Sequence, residues 1–222
     1  LHKAIRRQRQ MCIRDRVTMS IASGRRIAEV LNQESDLTSP ENGIKTVENG
    51  TIDFEDVSFH YGNDEDILSH IDLHIPSGST LGILGATGSS KSSLVQLIPR
   101  LYDVTQGSVK VAGIDVRDYD LKVLRDNVAM VLQKNVLFSG TIKENMRWGN
   151  PNASDEEIME ACKLAQADEF IQLMPNKYDT YIEQGGSNVS GGQRQRLCIA
   201  RALLKSPKIL ILDDSTLSLI HI

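Results

Sequence analysis

Apolar and polar positions change period several times along the chain. Val17, Ile21, Ile27, Val30 and Leu31 recur at helical spacing and predict a helix over 17–31. Residues 1–16, dense in arginine and glutamine, show no convincing period. Residues 32–50 are polar and contain Pro40, Asn42-Gly43 and Asn49-Gly50, which is linker chemistry, so a compact domain is expected to begin at Thr51. Ile52 and Phe54, then Val57 and Phe59, alternate in two phases. The slip at Glu55-Asp56 predicts a bulge or bend. Ile71, Leu73 and Ile75 form a second alternating strand, closed by a Pro76-Ser77-Gly78 turn. The apolar run at 81–84 reads as a short buried strand, and a helix follows from about Lys91. Strands are expected again near 109–111 and 128–132, and residues 141–173 look mostly helical, with Ser154 and Glu157 forming a capping box. The last clear elements are a helix over 191–204 and a strand over 209–212. Strands alternating with helices imply an α/β fold with a largely parallel sheet, and the two-phase strands imply a separate antiparallel part. No internal repeat is visible.

The bulk numbers narrow the class. The 222 residues suit one domain, or one domain with a tail, and are enough to bury a core unaided. A formal charge of −4 argues against a nucleic-acid surface, which is usually a basic stripe. Cys12, Cys162 and Cys198 lack metal-ligand spacing; the last two fall in apolar helical patterns and read as small core residues. No run approaches the roughly 18 apolar residues that span a bilayer, and no apolar run follows the basic N-terminus as a secretory signal would require.

Candidate chemistry begins at 81–92, LGILGATGSSKS. An apolar run enters a glycine-rich turn that ends in Lys-Ser and opens a helix, the context a phosphate-binding loop needs. The loop comprises Gly85, Ala86, Thr87, Gly88, Ser89, Ser90, Lys91, Ser92 and Ser93. Its N–H groups would face phosphate oxygens, Lys91 would reach the β- and γ-phosphates, and the Ser92 hydroxyl would bind Mg²⁺. One position departs from the pattern: Ser90 stands where glycine is wanted. A Cβ there would crowd the phosphate, or cost about 1–2 kcal/mol at positive φ. The bland alternative is a glycine-rich turn with no ligand.

Two further segments belong with it. Residues 209–214, ILILDD, form an apolar strand ending in acids, and Asp213 would hold Mg²⁺; the alternative is a buried strand with solvated acids. Ser190-Gly191-Gly192-Gln193 opens a helix through a capping box between Ser190 and Gln193. Its N-terminal N–H groups and two glycines make a second anion site without a lysine, or simply a capped helix with a flexible lead-in.

In this order and spacing, GATGSSKS, SGGQ and ILILDD resemble the ATP-binding domain of ABC transporters, over roughly residues 17–216. The resemblance implies ATP and Mg²⁺ as cofactors. It implies a P-loop NTPase (RecA-like) core with an antiparallel β subdomain and an α-helical subdomain, incomplete at the C-terminus. Tyr61 falls where the family stacks an aromatic ring on adenine. Gln133, ending the VAMVLQ strand, matches the glutamine that contacts Mg²⁺ and senses the membrane part. Residues 135–145, NVLFSGTIKEN, resemble the exporter branch, and 17–50 resemble the exit from a last membrane helix. The implied partners are a second ATP-binding domain paired head to tail, whose phosphate the SGGQ end of this chain would face, and a transmembrane domain. The implied place is the cytoplasmic face of a bacterial membrane.

Two departures from the family pattern bear on function. Asp214 stands where most members carry a glutamate base; it is one methylene shorter, and a misplacement of order 1 Å can cost about 10²-fold in rate. This resembles the weak-site half of a heterodimeric exporter; the bland alternative is that Asp214 still works as a base, or varies without consequence. After Thr216 the resemblance stops, and residues 1–16 also fall outside it, so 1–16 and 217–222 read as translated adapter sequence around a gene fragment. The expected function is an exporter motor. A regulatory half that barely hydrolyses ATP, or a soluble ABC-type ATPase of DNA repair or translation, are the alternatives.

Overall fold

The structure, a computed structural model, describes residues 2–33, 35–62, 65–86 and 88–213, with the backbone alone over 2–16. The chain divides into two compact units, Leu1–Thr38 and Ser39–Ile222. The first holds one helix, α1 (His2–Leu31). It begins well before residue 17. Arginine and glutamine are good helix formers and need no apolar stripe to continue a helix, so the absence of a period hid its first half. Val17, Met19, Ile21, Ile27, Val30 and Leu31 are all exposed.

In the second unit, β1 (Ile52–Phe59), β2 (Leu68–Ile75), β3 (Gln106–Val111) and β4 (Ile114–Asp115) form an antiparallel sheet in the order β2-β1-β3-β4. The expected slip is a bulge: the β1–β2 register shifts between Phe54 and Val57, and Asp56 takes φ 48°. Ile44 and Val47, inside the stretch read as linker, pack onto this sheet, Ile44 bridging to Tyr119 and Val47 buried.

The sheet's inner face, with Phe54, Val57 and Val109, packs against α2 (Lys91–Leu97), α3 (Leu121–Asn127) and a parallel pair of strands. That pair is β5 (Val128–Val131) beside β8 (Ile209–Leu212), in register from Val128↔Ile209 to Val131↔Leu212. Burying side chains such as Leu97 and Leu124, both 0% exposed, stabilises the fold by about 1.5–3 kcal/mol each.

A helical layer follows, with α4 (Ile142–Arg147), α5 (Asp155–Leu164), α6 (Asp168–Leu173) and α7 (Gly191–Leu204), plus a short antiparallel pair, β6 (Gly140–Thr141) and β7 (Tyr181–Ile182). Capping boxes start α4, α5 and α7 at Thr141/Glu144, Ser154/Glu157 and Ser190/Gln193. Ile142, Met146, Ile158, Ile171, Ile182 and Leu197 build its core. Cys162 and Cys198 lie in that core, and burial pushes the Cys162 thiol up to about 12.

One expected element is absent in the form expected. Residues 81–84 are not a buried strand: they carry no ladder, and Leu84 is 96% exposed. A strand needs a neighbour on at least one edge, and among the described residues β5 and β8 pair only with each other. The alternating exposure of β8, with Leu210 and Leu212 open, reflects the same uncovered side.

Candidate functional site

The glycine-rich loop leads directly into α2. Gly88 takes φ 84°, a region that L side chains rarely adopt. A Cβ on Gly85 would lie 2.6 Å from the Ser89 hydroxyl, so a side chain there would require that hydroxyl to move. Ser90 has φ 57° and ψ 19°, left-handed, and its backbone carbonyl accepts from Leu94 N at 3.0 Å. The positive φ considered for this non-glycine position is therefore present, and with it about 1–2 kcal/mol of local cost.

Lys91 folds back over the loop. Its Nζ donates to the carbonyls of Gly85 and Ala86, both at 2.8 Å, and to Ser89 Oγ at 3.1 Å. The ammonium is thereby held at the centre of the turn. Ser89 N donates to Ala86 O at 3.2 Å and completes the ring of backbone around it. Thr87 lies outside the described residues.

The second half of the site arrives from β8. Asp213 N donates to Val131 O at 2.9 Å, extending the parallel ladder by one bond and setting Asp213 at the carboxyl edge of the pair. There Ser92 Oγ donates to Asp213 Oδ2 at 2.8 Å, closing a contact across 121 residues of sequence. Gln133 leaves the same edge two residues beyond Val131 and is exposed. A hydroxyl and a carboxylate in contact make an all-oxygen donor pair. It suits Mg²⁺, a hard cation that typically takes one or two protein oxygens and completes its shell with phosphate and water. Asp214 lies outside the described residues.

Tyr61 follows β1 and meets the same helix. Its hydroxyl is 3.0 Å from Ser93 Oγ and 3.5 Å from Gln96 Oε1. Its ring stands edge-on to Phe59 at 4.9 Å and to Tyr102 at 5.0 Å between centroids. The structure thus brings Tyr61, the loop, Ser92, Ser93 and Asp213 to one end of α2. Tyr102 and Gln96 escaped sequence reasoning. Nothing local in the sequence points to Tyr102.

The Ser190–Gln193 end stands apart. Ser190 Oγ accepts from Gln193 N at 3.2 Å, and Gln193 Oε1 accepts from Ser190 N at 2.9 Å. Among the described residues no hydrogen bond joins 190–193 to 85–93. Ser190 and Gly191 are exposed, and open space lies beside the Gly191 Cα. This helix start is open to solvent at Ser190 and Gly191.

Known proteins resemble this chain in sequence and fold. Residues 68–217 match the family described as ABC transporter. The chain is 46% identical over 205 residues to a Bacillus subtilis protein named "Putative multidrug export ATP-binding/permease protein YgaD", covering 91% of this chain and 35% of that one. It is 43% identical over 204 residues to the ATP-dependent lipid A-core flippase of Desulfotalea psychrophila, covering 91% and 36%. The solved structure of a bacterial Atm1-family ABC exporter with ATP bound superposes with a TM-score of 0.83 at 32% identity, covering 90% of this chain and 35% of that one. The chain spans about a third of the length of these relatives. Its fold is the ABC ATPase fold, and the chain belongs to the ABC transporter family, carrying that family's ATP-binding domain over the greater part of its length.

Proposed function

We propose that this chain is the ATP-binding and hydrolysing motor domain of a bacterial exporter, working at the cytoplasmic face of the membrane beneath a transmembrane domain. The single observation that carries the reading is the 2.8 Å contact between Ser92 Oγ and Asp213 Oδ2 beside a lysine held at the heart of a glycine loop. That contact joins the phosphate-facing helix to the acid-ending strand, which is what a Mg²⁺–triphosphate site needs. The relatives named as export proteins, lipid flippase and ATP-bound exporter point the same way.

Mg²⁺ and ATP would supply phosphoryl transfer to water as the energy source. For its part, the chain would do four things. Lys91 would set a fixed positive charge against the β- and γ-phosphates, and the N–H groups of residues 86–92 would orient them. Ser92 and Asp213 would hold the cation, with Gln133 at the same edge. Tyr61 would stack on the adenine. Asp214 would take the proton of the attacking water from a position one methylene short, so turnover at this site would be slow.

The exposed Ser190–Gln193 helix end supports a head-to-tail partner. Capped by itself and exposed, it would meet a phosphate bound by a second ATP-binding domain. Because this end matches the family pattern while the base position carries Asp214, the partner would be a non-identical subunit with a glutamate base. The proposed function is tested by titrating ATP into the purified chain with and without Mg²⁺. Ser92→Ala should erase most of the Mg²⁺ dependence of binding. Full Mg²⁺ dependence in that variant would remove the Ser92–Asp213 cation site from the account.

A further inference from the structure

Tyr61 is held at its hydroxyl as well as at its ring. The Ser93 hydroxyl, on a residue only 8% exposed, lies 3.0 Å from Tyr61 Oη. Ser93 follows Lys91 and Ser92 directly, in the first turn of α2. Gln96, one turn further on, gives the same hydroxyl a weaker contact at 3.5 Å. The ring is boxed edge-on by Phe59 from the end of β1 and by Tyr102 from beyond α2, and the Phe59 and Tyr102 ring centroids lie 5.6 Å apart. Edge-to-face pairs at such distances favour one relative orientation over others. Tyr61 keeps 39% of its surface open, so a ring fixed on three sides still presents area to a ligand.

A stacking platform is useful only if it stands at the correct distance from the phosphate loop. Tyr61 follows β1, while the loop opens α2, and the segment between them is long. Without a direct tie, the platform's position relative to the loop would rest on the packing of β1 against α2 and on the Phe59 and Tyr102 rings alone. We propose that the Ser93 hydroxyl is a positioning group for Tyr61, locking the aromatic platform to the phosphate-loop helix so that both ends of a nucleotide meet one rigid unit. Ser93 acts here through Tyr61 and not on the base, and Gln96 and Tyr102 complete the brace. The inference rests on the reading that Tyr61 stacks on adenine.

The test uses calorimetric titration of the full chain with two probes, ATP and inorganic tripolyphosphate. Tripolyphosphate reports the phosphate loop without the base, and circular dichroism shows that each variant is folded. Tyr61→Phe keeps the ring and removes the hydroxyl. One net hydrogen bond corresponds to roughly a threefold to tenfold change, so the ratio of ATP to tripolyphosphate affinity should fall by about that factor. Ser93→Ala should lower the ratio in the wild-type background and leave it unchanged in the Tyr61→Phe background, the non-additivity expected of two groups sharing one bond. Ser93→Thr, which keeps a hydroxyl, should restore it. An unchanged ratio in Tyr61→Phe, or additive losses in the double variant, would overturn the brace. An unchanged ratio in Tyr61→Ala would instead overturn the stacking reading on which the brace depends.

Discussion

Ser90 makes the sharpest residue-scale statement about this chain. It occupies φ 57°, with Gly88 at φ 84° two residues before it. Glycine is the ordinary solution at such angles, and a serine there costs about 1–2 kcal/mol, partly offset because glycine loses more backbone freedom on folding. Ser90→Gly should therefore raise the unfolding midpoint by about 1–4 °C, a net gain of up to about 1 kcal/mol in a domain of this size. Differential scanning calorimetry reads this directly; a lower midpoint would mean that the Ser90 hydroxyl contributes more than the angle costs. The departure from the glycine pattern and its consequence were both legible in the residues. The brace around Tyr61 was legible only in part. Ser93 was visible as a neighbour of Lys91, but the bond between its hydroxyl and Tyr61 spans 32 residues and has no local signature.

Among the elements, those with explicit start signals were read best. The 191–204 helix and the 209–212 strand were expected with the bounds the structure has. In the first case a capping box marks the start and a continuous apolar face carries the pattern to Leu204. The run at 81–84 misled because periodicity reports how a segment would be buried and not whether its neighbours lie alongside. The bulge in β1 was foreseen, but its pairing with β2 was not. Asp56 and His70 both take left-handed backbone, and His70 Nδ1 lies 2.6 Å from Asp56 Oδ1 across the two strands. Bonding to Asp56 raises the His70 pKa, and the same bond holds Asp56 low. A raised folded pKa means that the contribution is fully present below the unfolded value of about 6.5 and fades as pH rises through the folded one. For Asp56 the direction is opposite, and its contribution fades as pH falls through its lowered pKa. The pair is exposed, so the effect should be small. Amide exchange in β2 should quicken beyond its intrinsic pH dependence as pH rises through the titration of His70, and His70→Gln should abolish that component. An unaltered pH profile in the variant would show that the pair does not hold the strand.

At the scale of the whole molecule, the antiparallel sheet and the parallel pair pack around α2 in one core, while the helical layer builds a second core and leaves its Ser190–Gln193 end exposed. On the proposed reading, a chain with that division would bind nucleotide alone and would depend on a partner to complete a second contact with phosphate. The proposed Asp214 base adds a further reason for slow turnover. Purified alone, the chain should show steady ATP hydrolysis well below the typical enzymatic range of roughly 1–10³ s⁻¹. A phosphate-release assay that found several turnovers per second would contradict both the need for a partner and the weak base. Much of this plan was readable from three short motifs, because each motif fixes local chemistry. Their relative placement was not, since it depends on the β5–β8 register that carries Asp213 to Ser92. The claim on which everything else rests is that Lys91, held by Gly85 and Ala86, is the charge that anchors a triphosphate. Equilibrium titration of ATP into the chain and into Lys91→Ala tests it most directly. The account predicts saturable one-to-one binding that weakens at least about tenfold in the variant, a change of roughly 1.4 kcal/mol, while circular dichroism shows the fold retained; equal affinity in a folded Lys91→Ala protein would contradict it.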